Sequence, residues 1–427
     1  MIMIIMFVVT LLLGVPSAYV LGLVGAAGLI TMGPNYFPAV AQKLFSSANS
    51  YNLMAIPMFI LAGELMGLSG DVTRLMDFCR ALVGRVKGGI AYVCTIVGLL
   101  LGGILGMANA EAALLSSTIY PEMRKDGYED DFAACFIASV SVVGPLIPPG
   151  LLYVIYGVSS GTPIAYLFEA GVVPGIMVGL ALALVIFILS RNPGRKWVIH
   201  DWQGWRHVWS KLKSAAFSIV APFLTFVSIA AGEATATESA SLIIMVVALV
   251  GIFIYKKIKL KALIPMIIRS AVMSGAILII AAMAGVMGWA LAIEQIPTII
   301  CNFMLSLTDN GLIAMLLIQV FLLMVGMFMD ASPAVLILVP VFLPIMQAYG
   351  YDFVHFGLLM CFNLTIGVLT PPVGTCLYTT AMATKVPVDR MVKGIWPWIG
   401  VLVVCLLICT YCPDLVLAIP RLLGYTG

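Results

Sequence analysis

Gly144-Pro145-Leu146-Ile147-Pro148-Pro149-Gly150 and, 223 residues further on, Gly367-Val368-Leu369-Thr370-Pro371-Pro372-Val373-Gly374 decide how this chain folds. Each run interrupts an otherwise apolar segment, 132–158 and 355–381, long enough to cross a membrane. Paired prolines remove two backbone donors and clash with the preceding turn, so a helix must open at both places. Carbonyls freed there cannot face lipid; they must line a cavity or hold an ion.

The surrounding composition supplies the lipid. The chain has 427 residues, 62% of them hydrophobic and only 10% charged, whereas soluble domains carry about 25% charged residues. Long apolar runs cover 1–41, 172–190 and 395–412, and about ten to twelve segments approach the length of a span. The expected fold class is an all-α polytopic membrane protein. The net charge of +3 is spread over short loops, where it orients the chain and forms no nucleic-acid patch. The first Lys or Arg is Lys43, so the basic start of a cleavable signal peptide is missing. Cys409 and Cys412 form a lone C-x-x-C with Cys405 one turn earlier, and His200, His207 and His355 lie far off in sequence. A zinc site needs four ligands, so these cysteines read as small apolar residues in a helix.

Working outward from the two proline runs exposes a repeat. Residues 103–174 align with 326–397 without a gap. Matched pairs include Gly103/Gly326, Pro121/Pro344, Gly127/Gly350, Tyr128/Tyr351, Gly144/Gly367, Pro148/Pro371, Pro149/Pro372 and Pro174/Pro397. Four prolines coincide, where composition alone would give about 0.3. Proline and glycine constrain backbone shape, so what repeats is conformation.

Loop charge then sets direction. The loop at 69–88 carries Arg74, Arg80, Arg85 and Lys87, while its counterpart at 292–311 carries no Lys or Arg. Arg124 and Lys125 mark 122–131, and 345–354 has none. Later the bias reverses: 159–170 has no basic residue, and 382–393 has Lys385, Arg390 and Lys393. Equivalent loops therefore lie on opposite sides of the bilayer. A duplication without inversion would have placed like charge in like loops. The expected architecture is two inverted-topology repeats, 1–190 and 214–427. The stretch 191–213, with Arg191, Arg195, Lys196, Arg206, Lys211, Lys213 and four tryptophans, reads as an amphipathic cytoplasmic linker helix. Counting spans from it puts both termini outside.

Each half also holds a segment that begins and ends on one side. In the first, 89–122 lies between two basic loops and is interrupted at Gly106–Glu111; in the second, 311–345 lies between two loops without Lys or Arg and is interrupted at Met329–Pro333. Arms of about 12–18 residues are short for a span. Both segments are expected to be re-entrant helical hairpins, with Asn109 at the first tip and Asp330 at the second. Each hairpin is followed by one of the discontinuous transmembrane helices.

Unwound carbonyls together with nearby Asn, Asp, Ser or Thr oxygens suit a hard cation such as Na⁺. One expected site uses Gly106, Ser139, Gly144 and Pro145; the other uses Gly326, Asp330, Asn363, Gly367 and Thr370. Half-helix N-termini nearby favour an anionic substrate group, which places expected substrate contacts at Asn109, Pro148, Pro149, Ser332, Pro371, Pro372 and Gly374. Asp330 stands out, because a carboxylate near the midplane is costly unless it meets a cation or water. The competing role for Asp330 or Ser332 is a structural cap on the second arm. Glu64 and Glu111 also lie in apolar surroundings; Glu64 is expected to pair with an arginine of the next loop. Glu233 and Glu238 belong to a solvated outer turn.

The run Gly326-Met327-Phe328-Met329-Asp330-Ala331-Ser332-Pro333-Ala334-Val335-Leu336-Ile337, the two Gly-x-x-x-Pro-Pro elements at 144–149 and 367–372, and the Gly-Tyr pairs at 127–128 and 350–351 resemble the large membrane subunit of tripartite ATP-independent periplasmic (TRAP) transporters. The resemblance covers essentially the whole chain. It implies an ion-transporter superfamily fold, with a scaffold and a transport domain that moves as an elevator. It implies Na⁺ coupling, a small four-helix membrane subunit, and a periplasmic substrate-binding protein that delivers a carboxylate such as a C4-dicarboxylate or sialic acid. It implies residence in the bacterial inner membrane. No fused small subunit precedes Met1, so that partner is expected as a separate chain. The first repeat departs from the second: Met107 and Asn109 stand where the second has Asp330 and Ser332.

Other classes fit less well. A self-sufficient Na⁺/dicarboxylate symporter of the same superfamily is the alternative. An enzyme would need a nucleophile–base or metal constellation, and Gly157-Val158-Ser159-Ser160-Gly161 matches GxSxG by letter without the strand-to-helix turn that motif requires. No GxxxxGK[ST] signals an ATP-driven pump. A passive channel would share the broken helices but not a dependence on the sodium gradient.

Overall fold

A computed structural model describes residues 2–31, 33, 36–192, 194, 195 and 197–427. Met1, and Lys196 of the linker, lie outside the described residues. Every regular element among those described is helical. Among the described residues six helices are long and apolar enough to cross a bilayer, or up to nine if each strongly bent pair counts as one span.

The two hairpins and two broken helices form one body. The first hairpin has arms Gly89–Leu105 and Ala108–Thr118; the second has arms Gly311–Phe328 and Ala331–Ala348. The first broken helix runs Asp130–Ser141, passes a short turn at Gly144–Leu146, resumes as Leu151–Ser160, and bends by 44° across the gap. The second runs Phe353–Gly367 and Thr375–Thr384. Both Pro148-Pro149 and Pro371-Pro372 are cis.

These two broken helices run in opposite directions. Asp131, at the start of the first, faces Arg390, just past the end of the second, at 3.9 Å. Beside that pair the Cys135 thiol donates to the Met391 carbonyl at 3.4 Å. At the far end the Tyr156 hydroxyl donates to the carbonyl of Phe353, the first residue of the second broken helix, at 2.8 Å. Start packs against end at both extremities, as inversion of the repeat requires.

Around this body lies a scaffold. Its spine is the 34-residue helix Leu260–Ile293, which packs along Ser17–Thr31, Phe37–Ala48 and Ala55–Ser69 and also touches the second hairpin's arm Ala331–Ala348. The first half builds the matching spine from two pieces, Phe37–Ala48 and Ala55–Ser69, joined by the short turn Tyr51–Met54. Pro174 and Pro397 also act differently. Ile164–Ser190 passes through Pro174 as one helix, while its counterpart is split into Val388–Gly394 and Trp396–Tyr411 with a 48° bend.

Within the expected linker, 191–213, the helix begins only at Trp205. Residues 197–204 carry no regular structure, and Trp205 opens a 26-residue helix that continues to Ala230. Trp197 packs on the first broken helix's base. Its ring stacks on Tyr128 at 4.3 Å, a contact of about 0.5–1.5 kcal/mol beyond burial. The Val198 amide donates to the Asp126 carbonyl at 3.0 Å. Gly204, at φ +85°, turns the chain into the next helix. Residues 197 and 198 are thereby tied to the base of the first broken helix. Glu64 also differs from expectation. It pairs with Arg269 of the long scaffold helix at 3.3 Å, because helix-on-helix packing brings that arginine closer than any of the following loop. Glu238 sits in a capping box with Thr235 at the start of Ala236–Leu249.

Candidate ion and substrate site

The hairpins reach the middle of the body because glycines let backbone touch backbone. Gly102 and Gly103 lie directly against Gly144 and Pro148, and a Cβ on Gly326 would meet the Gly367 Cα at 2.8 Å. The first tip turns at Gly106, with φ +61°, which leaves it against Leu151 at the start of the resumed helix. Asn109 is therefore in the first turn of the second arm and not at the apex. The second tip turns at Met329 and Asp330.

The two tips converge. Gly106, Asn109, Pro145, Asp330, Ser332 and Thr365 line one gap of about 20 Å³. A water-sized particle occupies a volume of this order, so the gap accommodates an ion or a water and is too tight for a sugar acid. Asn109 and Thr375 join the halves, with their side chains 3.3 Å apart. Gly374, at φ +47°, donates its amide to Met327 of the second hairpin at 3.3 Å.

Asp330 is the N-cap residue of Ala331–Ala348, yet its side chain makes no capping bond there. Asp330 lines the gap. Asn363 lies one turn before the second break. Its amide donates to the Gln319 carbonyl at 2.9 Å and to Gln319 Oε1 at 3.2 Å, and its own Oδ1 is buried without a partner. Thr370 donates to the Ile366 carbonyl at 2.8 Å, and Ser139 to the Cys135 carbonyl at 2.8 Å. Both hydroxyl oxygens keep lone pairs free to accept a cation. Asn363 and Ser139 do not reach the central gap; each belongs to its own break.

Thr365 and Thr375 are additions to the expected residues. Their signal was available in the repeat. Asn363, Thr365, Thr370 and Thr375 fall on the matched positions of Val140, Val142, Ile147 and Leu152, so the second break is rich in oxygen exactly where the first is apolar. Among the described residues no group of three His, Cys, Asp or Glu side chains could hold a metal ion.

Outside the membrane the base of the first hairpin is clamped. Glu122 accepts from Arg80 at 3.0 Å and Lys125 at 2.7 Å. The Lys125 hydrogen bond, helped by Arg80, holds its carboxyl below the usual range.

Two antiparallel broken helices, each met by a hairpin at mid-depth, define a secondary-transporter permease. The particular family follows: the chain belongs to the tripartite ATP-independent periplasmic transporter family, DctM component, which it matches over residues 4–415. It is 33% identical to the large permease protein of the sialic acid TRAP transporter of Vibrio cholerae over 96% of both chains. It is 33% identical to the C4-dicarboxylate TRAP large permease of Pseudomonas aeruginosa, covering 95% of this chain and 94% of that one. The 2,3-diketo-L-gulonate TRAP large permease of Escherichia coli is 32% identical over 95% of each. Among solved structures the YdaH transporter of Alcanivorax borkumensis shares the fold, with a TM-score of 0.60 at 12% identity over 89% of this chain and 88% of that one.

Proposed function

We propose that this chain is the large permease subunit of a Na⁺-coupled importer of an organic acid anion of the sialic acid or C4-dicarboxylate class. The observation that carries the reading is the central gap, where two helix breaks and two hairpin tips bring Asp330, Asn109 and Ser332 together. Freed carbonyls beside a carboxylate hold a cation, and half-helix N-termini beside the same gap take a carboxylate substrate. The relatives named above transport sialic acid, C4-dicarboxylates and 2,3-diketo-L-gulonate, and each of those substrates carries a carboxylate.

The body of hairpins and broken helices moves against the scaffold as an elevator. A small residue at the seam supports this: a Cβ on Gly288 of the scaffold helix would find Pro340 of the second hairpin at 3.4 Å. A periplasmic binding protein delivers the substrate, and a small four-helix membrane subunit completes the scaffold. The protein resides in the inner membrane with both termini periplasmic. Support for the side comes from the basic loops, and from Tyr425 donating to Asp352 at 2.7 Å, at the end of the body away from the linker.

Reconstitution tests the reading. Proteoliposomes holding this chain and the small subunit should take up a labelled carboxylate only with both an inward Na⁺ gradient and the binding protein. Uptake by this chain alone would favour the stand-alone Na⁺/dicarboxylate symporter. Uptake indifferent to Na⁺ would overturn both.

A further inference from the structure

The central gap is too tight for a sugar acid, but a larger cavity of about 420 Å³ opens in the seam between scaffold and body. Lys43, Ser46, Ser47 and Ser50 line it from the scaffold, and Ser159, at the end of the first broken helix, lines it from the body. Among the described residues no Asp or Glu lines it. Lys43 is half-buried, with its ammonium 5.4 Å from the centre of the Trp289 ring. It forms no ion pair with a carboxylate among the described residues. The cavity therefore holds one uncompensated positive charge and four hydroxyls, in a volume typical of small-ligand pockets.

Its depth follows from the long scaffold helix. Lys256, Lys257, Lys259 and Lys261 cluster at the Leu260 end, which puts that end inside. Trp289 is one turn from Ile293 at the other end, so the cavity lies toward the outer side. The cavity and the gap also share one helix face. Ser332 lines the gap, and Leu336 and Pro340, which line the cavity, follow it at intervals of four along Ala331–Ala348. At the helical rise, Pro340 stands about 12 Å outward of Ser332. A cation at the edge of an apolar interior is costly without a counter-charge, and an anion in the cavity supplies it.

We propose that this cavity is an outer entry site for the anionic substrate, where Lys43 binds a carboxylate and the serine hydroxyls donate to its remaining oxygens. The anion then passes inward along the face from Pro340 to Ser332. The inference rests on the reading of this chain as a permease for an organic acid anion. One wall of the cavity belongs to the scaffold and the other to the body, so movement of one against the other dismantles the site and releases the anion.

Uptake into proteoliposomes holding this chain, the small subunit and the binding protein tests the site. The probe is labelled succinate or labelled sialic acid, whichever wild type imports, at a fixed Na⁺ gradient. Lys43→Met keeps an unbranched apolar stem and removes the charge. It should raise the concentration of loaded binding protein at half-maximal uptake about tenfold, the loss of one charge-assisted contact, and leave the half-saturating Na⁺ concentration unchanged. Lys43→Arg should recover most of that loss, whereas a stem that only packed on Trp289 would be served equally by methionine. Ser46→Glu, on an exposed serine one turn from Lys43, neutralises the cavity without altering the lysine. It should raise the same concentration and provides the test if Lys43→Met does not purify. A half-maximal concentration within about twofold of wild type in Lys43→Met, or in Ser46→Glu where that variant alone purifies, overturns the inference and leaves the functional reading standing. A wild type that imports neither probe under a Na⁺ gradient overturns both.

Discussion

Asn109 and Thr375 lie 3.3 Å apart and join the first hairpin to the second half of the opposite broken helix. Neither repeat completes the central gap without the other. Asn109→Ala and Thr375→Val should each weaken substrate use by the loss of one hydrogen bond, about 0.5–1.5 kcal/mol. The double variant should be no worse than the poorer single one. A double-mutant cycle on the substrate concentration at half-maximal uptake checks this; fully additive effects would mean the pair is not coupled.

Asp330 lines the gap and makes no side-chain capping bond to the helix it precedes. Asp330→Asn keeps the side chain's shape and should abolish Na⁺-driven uptake while the protein still inserts and runs as a single species on gel filtration. Normal transport kinetics in that variant would dismiss its role as an ion ligand.

Gly326 and Gly367 pack backbone to backbone. Gly326→Ala inserts a methyl 2.8 Å from the Gly367 Cα, and overpacking of this kind costs about 1–3 kcal/mol. The variant should unfold at a lower temperature than wild type and transport poorly. At Gly275, where a Cβ meets nothing within 4 Å, alanine should be silent in both assays.

At the base of the first hairpin Glu122 accepts from Lys125 and Arg80, which hold its carboxyl below the ordinary carboxylate value. Its folded-state pKa lies below the ordinary carboxylate value, so its stabilising effect is present above that ordinary value. The effect is lost as pH falls through the lowered one. Partial exposure limits it to about 1 kcal/mol or less. Glu122→Gln should lower the unfolding temperature slightly at neutral pH, and the gap to wild type should close under acid conditions. An equal gap at all pH values would contradict the clamp.

Much of this architecture was legible because proline and glycine act on the backbone directly. Pro148-Pro149 and Pro371-Pro372 announce where helices open, and loop charge on Arg74, Arg80, Arg124 and Arg390 announces direction. What stayed hidden depended on tertiary packing. Trp197 leaves a would-be linker helix to stack on Tyr128, and Glu64 finds Arg269 on a distant helix. At the gap, Asp330 falls at the tip where the sequence puts it, Asn109 falls one turn past the apex, and Thr365 and Thr375 needed the repeat to be compared position by position. The burial of Glu111 without a hydrogen-bond partner needed coordinates, since only they show that Gly98 and Gly144 close around it.

Sodium-driven uptake in proteoliposomes tests the central claim most directly. With the small subunit and binding protein present, initial rates of carboxylate entry should rise steeply and sigmoidally with external Na⁺, and collapse when choline replaces it. Equal rates in Na⁺ and choline would contradict the claim that the two helix breaks hold coupling cations.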